Sequence, residues 1–318
     1  MFAAKDNFIV YCLQTQKNML PQSRLINKKV QNRELINVYN CKWIGKNSGE
    51  CSAVRGVRGL FLLIFLSACA SKKSLQSMVD QHNYQQSTHY SDNFQHIVYA
   101  NQAYYLNAND TLYVYLEGDG LPWKTPTQIS ADPDPLYPLA LDLMSLNTHP
   151  SVYLQRPCYG FKEMNCDLQW WTNKRYSQEV VESMLQVLKS ISGKYQKIIL
   201  VGYSGGGALA VLMARKLDKV SRLITLAANL NIQKWTDYHG YSPLSGSINP
   251  ADIVLPAQVR QFHFSGQKDL NILPEWVKAF SDKQANSEFI LLQNIDHSCC
   301  WLKNWPRIID QINKTVVK

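Results

Sequence analysis

The run Gly202-Tyr203-Ser204-Gly205-Gly206 sets one hydroxyl among small residues, directly after the most apolar stretch of the body, 197–202, and directly before a helical pattern. The chemistry open to such a serine is nucleophilic attack on an acyl carbon. A Gly-x-Ser-x-Gly run between strand and helix predicts a strained turn that projects Ser204 beyond the strand end, with the positive end of the helix directed at it. Gly202 and Gly206 let the chain double back without colliding with neighbouring backbone. The bare pattern arises by chance in roughly one chain of this size in ten. Its placement between strand and helix makes it specific.

Serine is not nucleophilic at neutral pH, so Ser204 needs a base, and the base needs a carboxylate to orient it. Serines on such turns are followed in chain order by the acid and then the histidine. Three histidines lie downstream. His263 falls inside the expected strand 261–265, where a structural role is expected, and His239 lies in a polar loop. His297 follows the expected strand 288–293 and a short turn, where a loop can reach back over the serine, so it is the expected base. Asp269, just past strand 261–265 in Gly266-Gln267-Lys268-Asp269, is the expected acid. Asp296 is its rival, but sequence neighbours rarely face each other, and its expected role is to structure the loop. Asp252 is more remote.

The elements that must position these groups begin near residue 94. Segments 94–100, 103–107 and 111–117 are rich in Tyr, Val and Leu with turn residues between them, and they read as strands. Further strands are expected at 152–155, 197–202, 222–228, 261–265 and 288–293. Helices are expected at 139–146, 179–191, 208–217, 275–284 and 306–316. In 179–191 an apolar stripe places Val180, Val181, Met184, Leu185, Leu188 and Ile191 on one face. This alternation implies an α/β domain over 94–318, a mostly parallel central sheet with helices on both faces.

An acyl-transfer site also needs two backbone donors for the developing oxyanion. One is the amide of Gly205, just after the serine. The loop after strand 111–117 reads Glu117-Gly118-Asp119-Gly120-Leu121-Pro122-Trp123. It resembles the His-Gly loop of lipases and esterases with Glu117 in place of His, and by that position the amide of Asp119 is the second donor. Over 94–318 the chain resembles the α/β-hydrolase superfamily. More narrowly it resembles uncharacterised bacterial lipoprotein serine hydrolases, in Leu116-Glu117-Gly118-Asp119-Gly120, Asp132-Pro133-Asp134-Pro135, Pro138-Leu139-Ala140-Leu141, Gln155-Arg156-Pro157-Cys158 and His297-Ser298-Cys299-Cys300-Trp301. The resemblance implies the α/β-hydrolase fold with a small cap and a Ser204-Asp269-His297 triad, and it names no substrate.

The net charge of +9 is unevenly placed. Residues 1–68 hold 10 Lys and Arg against 3 Asp and Glu, whereas 69–318 hold 23 against 21. The body therefore offers no electrostatic case for nucleic acid. Arg55 and Arg58 precede the apolar run Gly59-Leu60-Phe61-Leu62-Leu63-Ile64-Phe65-Leu66, which ends in Leu66-Ser67-Ala68-Cys69. That is the layout of a secretory signal peptide over 54–68, and the run is shorter than the roughly 20 residues a membrane-crossing helix needs. Its end resembles the lipobox of bacterial lipoproteins, which implies a diacylated Cys69 as mature N-terminus. With Ala70 and Ser71 following, the resemblance implies the outer membrane, facing the periplasm. About 50 polar residues precede this signal, so translation is expected to start near Val54 or Val57, with 1–53 a misplaced gene start. Residues 69–93, rich in Gln, Ser, His and Asn, read as a flexible tether.

Of eight cysteines, five follow the signal peptide: Cys69, Cys158, Cys166, Cys299 and Cys300. Export makes pairing the default, and the short separation favours Cys158–Cys166. The state of the adjacent Cys299 and Cys300 stays open between free thiols and a vicinal bond. No cysteine has zinc-ligand spacing with histidines, so no metal and no cofactor is expected. The polar stretch 229–255, with Trp235, Tyr238 and Tyr241, is the one insertion long enough for a lid. Trp123, Trp170, Trp171 and Trp301 are candidate cleft walls. The expected activity is carboxylic ester hydrolysis of a small or lipid-like substrate. The same residues would serve a thioesterase, amidase or acyltransferase, and the non-enzymatic rival is an envelope binding protein that kept the fold. Oligomeric state leaves no trace in the sequence.

Overall fold

The structure, a computed structural model, describes residues 75–106, 110–161 and 166–314. Contacts divide the chain into Met1–Ala70 and Ser71–Lys318, and every described residue lies in the second unit. The expected extension 1–53, signal peptide 54–68 and lipidated Cys69 lie outside the described residues.

The described chain opens with helix α1 (Leu75–Gln81), strands β1 (Gln85–Tyr90) and β2 (Gln95–Ala100), and helix α2 (Gln102–Leu106). Strand β3 (Thr111–Leu116), a small hairpin of β4 (Trp123–Thr125) and β5 (Gln128–Ile129), helix α3 (Leu139–Ser145) and strand β6 (Ser151–Leu154) follow. After α4 (Gln178–Ile191), strands and helices alternate: β7 (Lys197–Tyr203), α5 (Gly205–Ala214), β8 (Val220–Leu226), α6 (Ile232–His239), β9 (Arg260–Gly266), α7 (Pro274–Ser281), β10 (Ser287–Leu292) and α8 (Trp301–Lys314).

Eight strands form one sheet in the order β1-β2-β6-β3-β7-β8-β9-β10. From β6 to β10 every neighbouring pair is parallel, and β1 and β2 add antiparallel pairings at one edge. Alternate side chains supply two cores, because successive strand residues point to opposite faces. Leu112, Val114, Leu116, Ile198 and Leu200 pack with α4, α5 and α7. Tyr113, Tyr115, Ile199, Val201, Phe262 and Phe264 pack with α1, α3 and α8. Strands buried on both faces explain the unbroken apolar run before Ser204.

The N-terminal part departs from the sequence reading in two places. Residues 75–93, expected to be tether, are folded. α1 buries only Met78 and Val79, and β1 is paired along its length to β2, from Gln85↔Ala100 to Tyr90↔Gln95. β1 is held by backbone bonds at a sheet edge with its side chains half or fully exposed, so it needs no apolar residues to be a strand. The second correction concerns 103–107, expected to be a strand. The Oδ1 of Asn101 accepts the amide of Tyr104 at 3.0 Å and starts the short helix α2 instead. At the C-terminal end α8 begins at Trp301 rather than near 306, carrying Trp301 and Trp305 into the core with Pro306 inside the helix.

Candidate active site

The apolar strand β7 ends at Tyr203, and the chain turns into α5 at Ser204, whose backbone adopts φ 52° and ψ −121°. A non-glycine residue in that region is strained and must be held by its surroundings. The Ser204 amide donates to the carbonyl of Leu226 at 2.9 Å, and its own carbonyl accepts from Gly207 at 3.0 Å and Asn229 at 3.1 Å. Gly202 and Gly206 face neighbouring backbone so closely that a Cβ on Gly202 would lie 2.6 Å from the Cα of Gly207, and one on Gly206 would lie 2.5 Å from the carbonyl oxygen of Glu117. Ser204 remains partly exposed at the C-terminal edge of the sheet.

His297 reaches Ser204 from the turn after β10. Its Nε2 lies 3.1 Å from Ser204 Oγ, and its Nδ1 lies 2.9 Å from Asp269 Oδ2. A carboxylate accepts only, so Nδ1 carries the proton and Nε2 presents its lone pair to the serine hydroxyl. Asp269, its side chain wholly buried, follows β9. Its Oδ1 accepts the amides of Asn271 at 2.9 Å and Ile272 at 2.8 Å, which leaves Oδ2 for the imidazole. Ser204, His297 and Asp269 are thus brought together as a connected relay. Asp296 turns away from it and accepts the amides of Ser298 at 2.9 Å and Cys299 at 2.6 Å, ordering its own turn.

His263 is enclosed in the sheet between Thr225 Oγ1 at 2.8 Å and Gln261 Oε1 at 3.2 Å, and burial pushes its imidazole down to about 3. His239 contacts the carbonyl of Asn271 at 2.8 Å. Neither joins the relay. Stretch 229–255 carries α6, started by Asn231 over the amide of Lys234 at 3.0 Å. It docks on the loop that holds Asp269, with Trp235 Nε1 donating to Asn271 Oδ1 at 3.1 Å.

On the other side of Ser204, the loop after β3 lies against the serine itself, where a Cβ on Gly118 would sit 3.3 Å from the serine Cβ. Glu117 is buried, and its carboxylate accepts the amides of Gly118 at 3.0 Å and of Ala140 in the first turn of α3 at 2.8 Å. Burial pushes its carboxyl up to about 7, against the opposing pull of those amides and of Arg156. The Asp119 carboxylate meets Arg156 Nη2 at 2.9 Å, Arg175 Nη1 at 3.0 Å and the hydroxyl of Tyr176 at 2.6 Å. Burial alone would raise this carboxyl, but the two guanidinium groups outweigh it and hold it below its ordinary range. Among the described residues, neither the Asp119 amide nor the Gly205 amide has a protein acceptor.

Several groups around the site carried no sequence signal for it. Arg156 sits in a singled-out motif, but nothing there told its role, and Arg175 lies outside every motif singled out in the sequence. Tyr203 and Trp301 both donate to the carbonyl of His297, at 3.1 and 2.9 Å, and so fix the loop that carries this histidine. Trp301 is therefore a buried support and not a cleft wall. Trp171, likewise buried, donates to the carbonyl of Ser130 at 3.0 Å, and Trp170 packs edge-on against Phe94. Disulfides join Cys158 to Cys166 and Cys299 to Cys300.

No family model matches the chain, and no curated protein matches it. Solved structures do. An esterase from Pyrococcus furiosus is similar with a TM-score of 0.52 at 13% identity, the match covering 74% of this chain and 93% of the esterase. A candidate lipase from Acinetobacter baumannii is similar with a TM-score of 0.51 at 12% identity, covering 76% of this chain and 94% of the other. At such identities the likeness defines architecture alone. Together with the sheet order, it makes the domain one of α/β-hydrolase fold.

Proposed function

We propose that the chain is a serine hydrolase that cleaves carboxylic esters. The observation that carries this reading is the continuous relay Asp269–His297–Ser204, with separations of 2.9 and 3.1 Å, on a strained and partly exposed turn. Ser204 Oγ attacks the ester carbonyl carbon while its proton passes to His297 Nε2. Asp269 holds the imidazole in the correct tautomer and stabilises the imidazolium. The negative charge on the former carbonyl oxygen is received by the amides of Gly205 and Asp119, the first lying at the positive end of α5. Collapse of the intermediate expels the alcohol, which takes the proton from His297. A water molecule then repeats the sequence on the acyl-enzyme, releasing the carboxylic acid and restoring Ser204.

The reading places the enzyme at the bacterial cell envelope, anchored through acylated Cys69. Supporting it are the lipobox-like Leu66-Ser67-Ala68-Cys69 and the pairing of Cys158–Cys166 and Cys299–Cys300, which suits an oxidising compartment. The test is hydrolysis of p-nitrophenyl esters from acetate to palmitate by the full chain beside Ser204→Ala. Turnover should fall by about 10³-fold or more in the variant, and a fluorophosphonate probe should label the wild type alone. Equal activity in both proteins would sink the assignment of Ser204.

A further inference from the structure

We propose that Arg156, Arg175, Tyr159 and Tyr176 are positioning residues that fix the Asp119 amide as an oxyanion donor; this rests on the reading of Ser204 as the nucleophile.

The geometry bears on three successive peptide planes. Arg156 Nη2 donates to the carbonyl of Glu117 at 3.3 Å, and the Tyr159 hydroxyl donates to the carbonyl of Asp119 at 3.0 Å. A carbonyl held from behind fixes its planar peptide unit. The held carbonyls belong to the units on either side of the Gly118–Asp119 peptide. That middle unit, which carries the Asp119 N–H, lies beside Ser204. The Asp119 side chain adds a second constraint, because its carboxylate is gripped by two guanidinium groups and a phenol from residues far along the chain. Both ends of the residue are thereby tied while its amide is left without a protein acceptor.

Charge supports the same role. The Asp119 carboxylate borders Gly205, where a Cβ would also meet the Tyr176 oxygen at 2.5 Å. A lone carboxylate so close would repel the oxyanion. Arg156 and Arg175, with side chains 3% and 5% exposed, reverse that, leaving a surplus of one positive charge from two arginines and one aspartate. Nε and Nη1 of Arg156 are buried without hydrogen-bond partners, and its guanidinium carbon lies 5.7 Å from the Tyr159 ring centre and 5.5 Å from that of Tyr176. Stability alone is a poor reason for such a cluster, since apolar packing in place of buried ions is often neutral or better. Holding one peptide in one orientation is a sufficient reason.

The test compares full-length Tyr159→Phe and Tyr176→Phe with wild type on p-nitrophenyl acetate, counting active sites by labelling to completion with a fluorophosphonate. Turnover per labelled site should fall roughly tenfold in each variant while KM stays within about twofold. The acid limb of the kcat/KM profile should not move. Affinity for phenylboronic acid, whose tetrahedral serine adduct places an oxygen in the hole, should fall by the same factor as turnover. Tyr159→Phe removes one hydroxyl and keeps its ring beside Arg156, so it carries the test even if Tyr176→Phe fails to fold. Unchanged turnover per labelled site, with only fewer sites or a lower Tm, would overturn the positioning role and leave the serine hydrolase standing. A wild type that neither labels nor turns over would overturn both.

Discussion

The two flanks of Ser204 hold their carboxylates by opposite means. On the His297 flank, Asp269 is anchored by amides only two and three residues ahead of it, and Asp296 orders the histidine turn in the same way. On the Asp119 flank, the carboxylate is held by side chains at positions 156, 175 and 176, the latter two 56 and 57 positions away, and its carbonyl by one 40 positions away. The first flank uses local turn chemistry and no guanidinium. The second assembles two arginines and an aspartate in a nearly dry interior. One flank can therefore be altered chemically with little effect on folding, whereas the other joins chemistry and folding in the same contacts.

The largest effect that would break this contrast is in Asp269→Asn. Its amide oxygen can still accept from Asn271 and Ile272, so Tm should stay within a few degrees. The imidazole loses its orienting acceptor, and kcat should fall by about 10⁴-fold. A large loss of Tm would show that this flank is as structural as the other. Arg175→Met should behave in the opposite way. It leaves the half-buried Asp119 with one guanidinium, and urea unfolding should register a loss of about 3 kcal/mol. A stability change below about 1 kcal/mol would place the Asp119 cluster among weak surface pairs.

The most gradual effect concerns Glu117, whose carboxyl is raised by burial from 4.5 to about 7. A raised acid contributes stability that is full below pH 4.5 and is lost as pH rises through 7. Glu117→Gln stays neutral throughout, so wild type should lose ground to it by up to about 1.4 kcal/mol per pH unit in that window. Urea midpoints of the two proteins at pH 5, 6, 7 and 8 measure the difference. A constant difference across the series would mean that Glu117 is ionised throughout.

What could be read from the sequence follows the same divide. Ser204 stands out because a strand buried on both faces must be a continuous apolar run, and the turn after it must be small. His297 and Asp269 follow from the ends of the next strands, each positioned by its own turn. Arg156 and Arg175 left no such trace, because their partners are brought to them only by the order of strands in the sheet. The same holds for β1, whose polar sequence hides a strand that is made by backbone pairing to β2. At 102–106, three β-prone tyrosine and leucine side chains were outweighed by the single cap from Asn101.

That edge strand also has a mechanical consequence. β1 stands four places along the sheet from β7, about 19 Å at ordinary strand spacing. A pull on the N-terminal end of the described fold meets α1 first, where it must free only Met78 and Val79, and then the β1–β2 pairing. Those bonds can yield in turn while β3, β7 and β8 around Ser204 remain paired on both sides. The polar edge can thus act as a strain relief, parting before the strands around Ser204 bear the load.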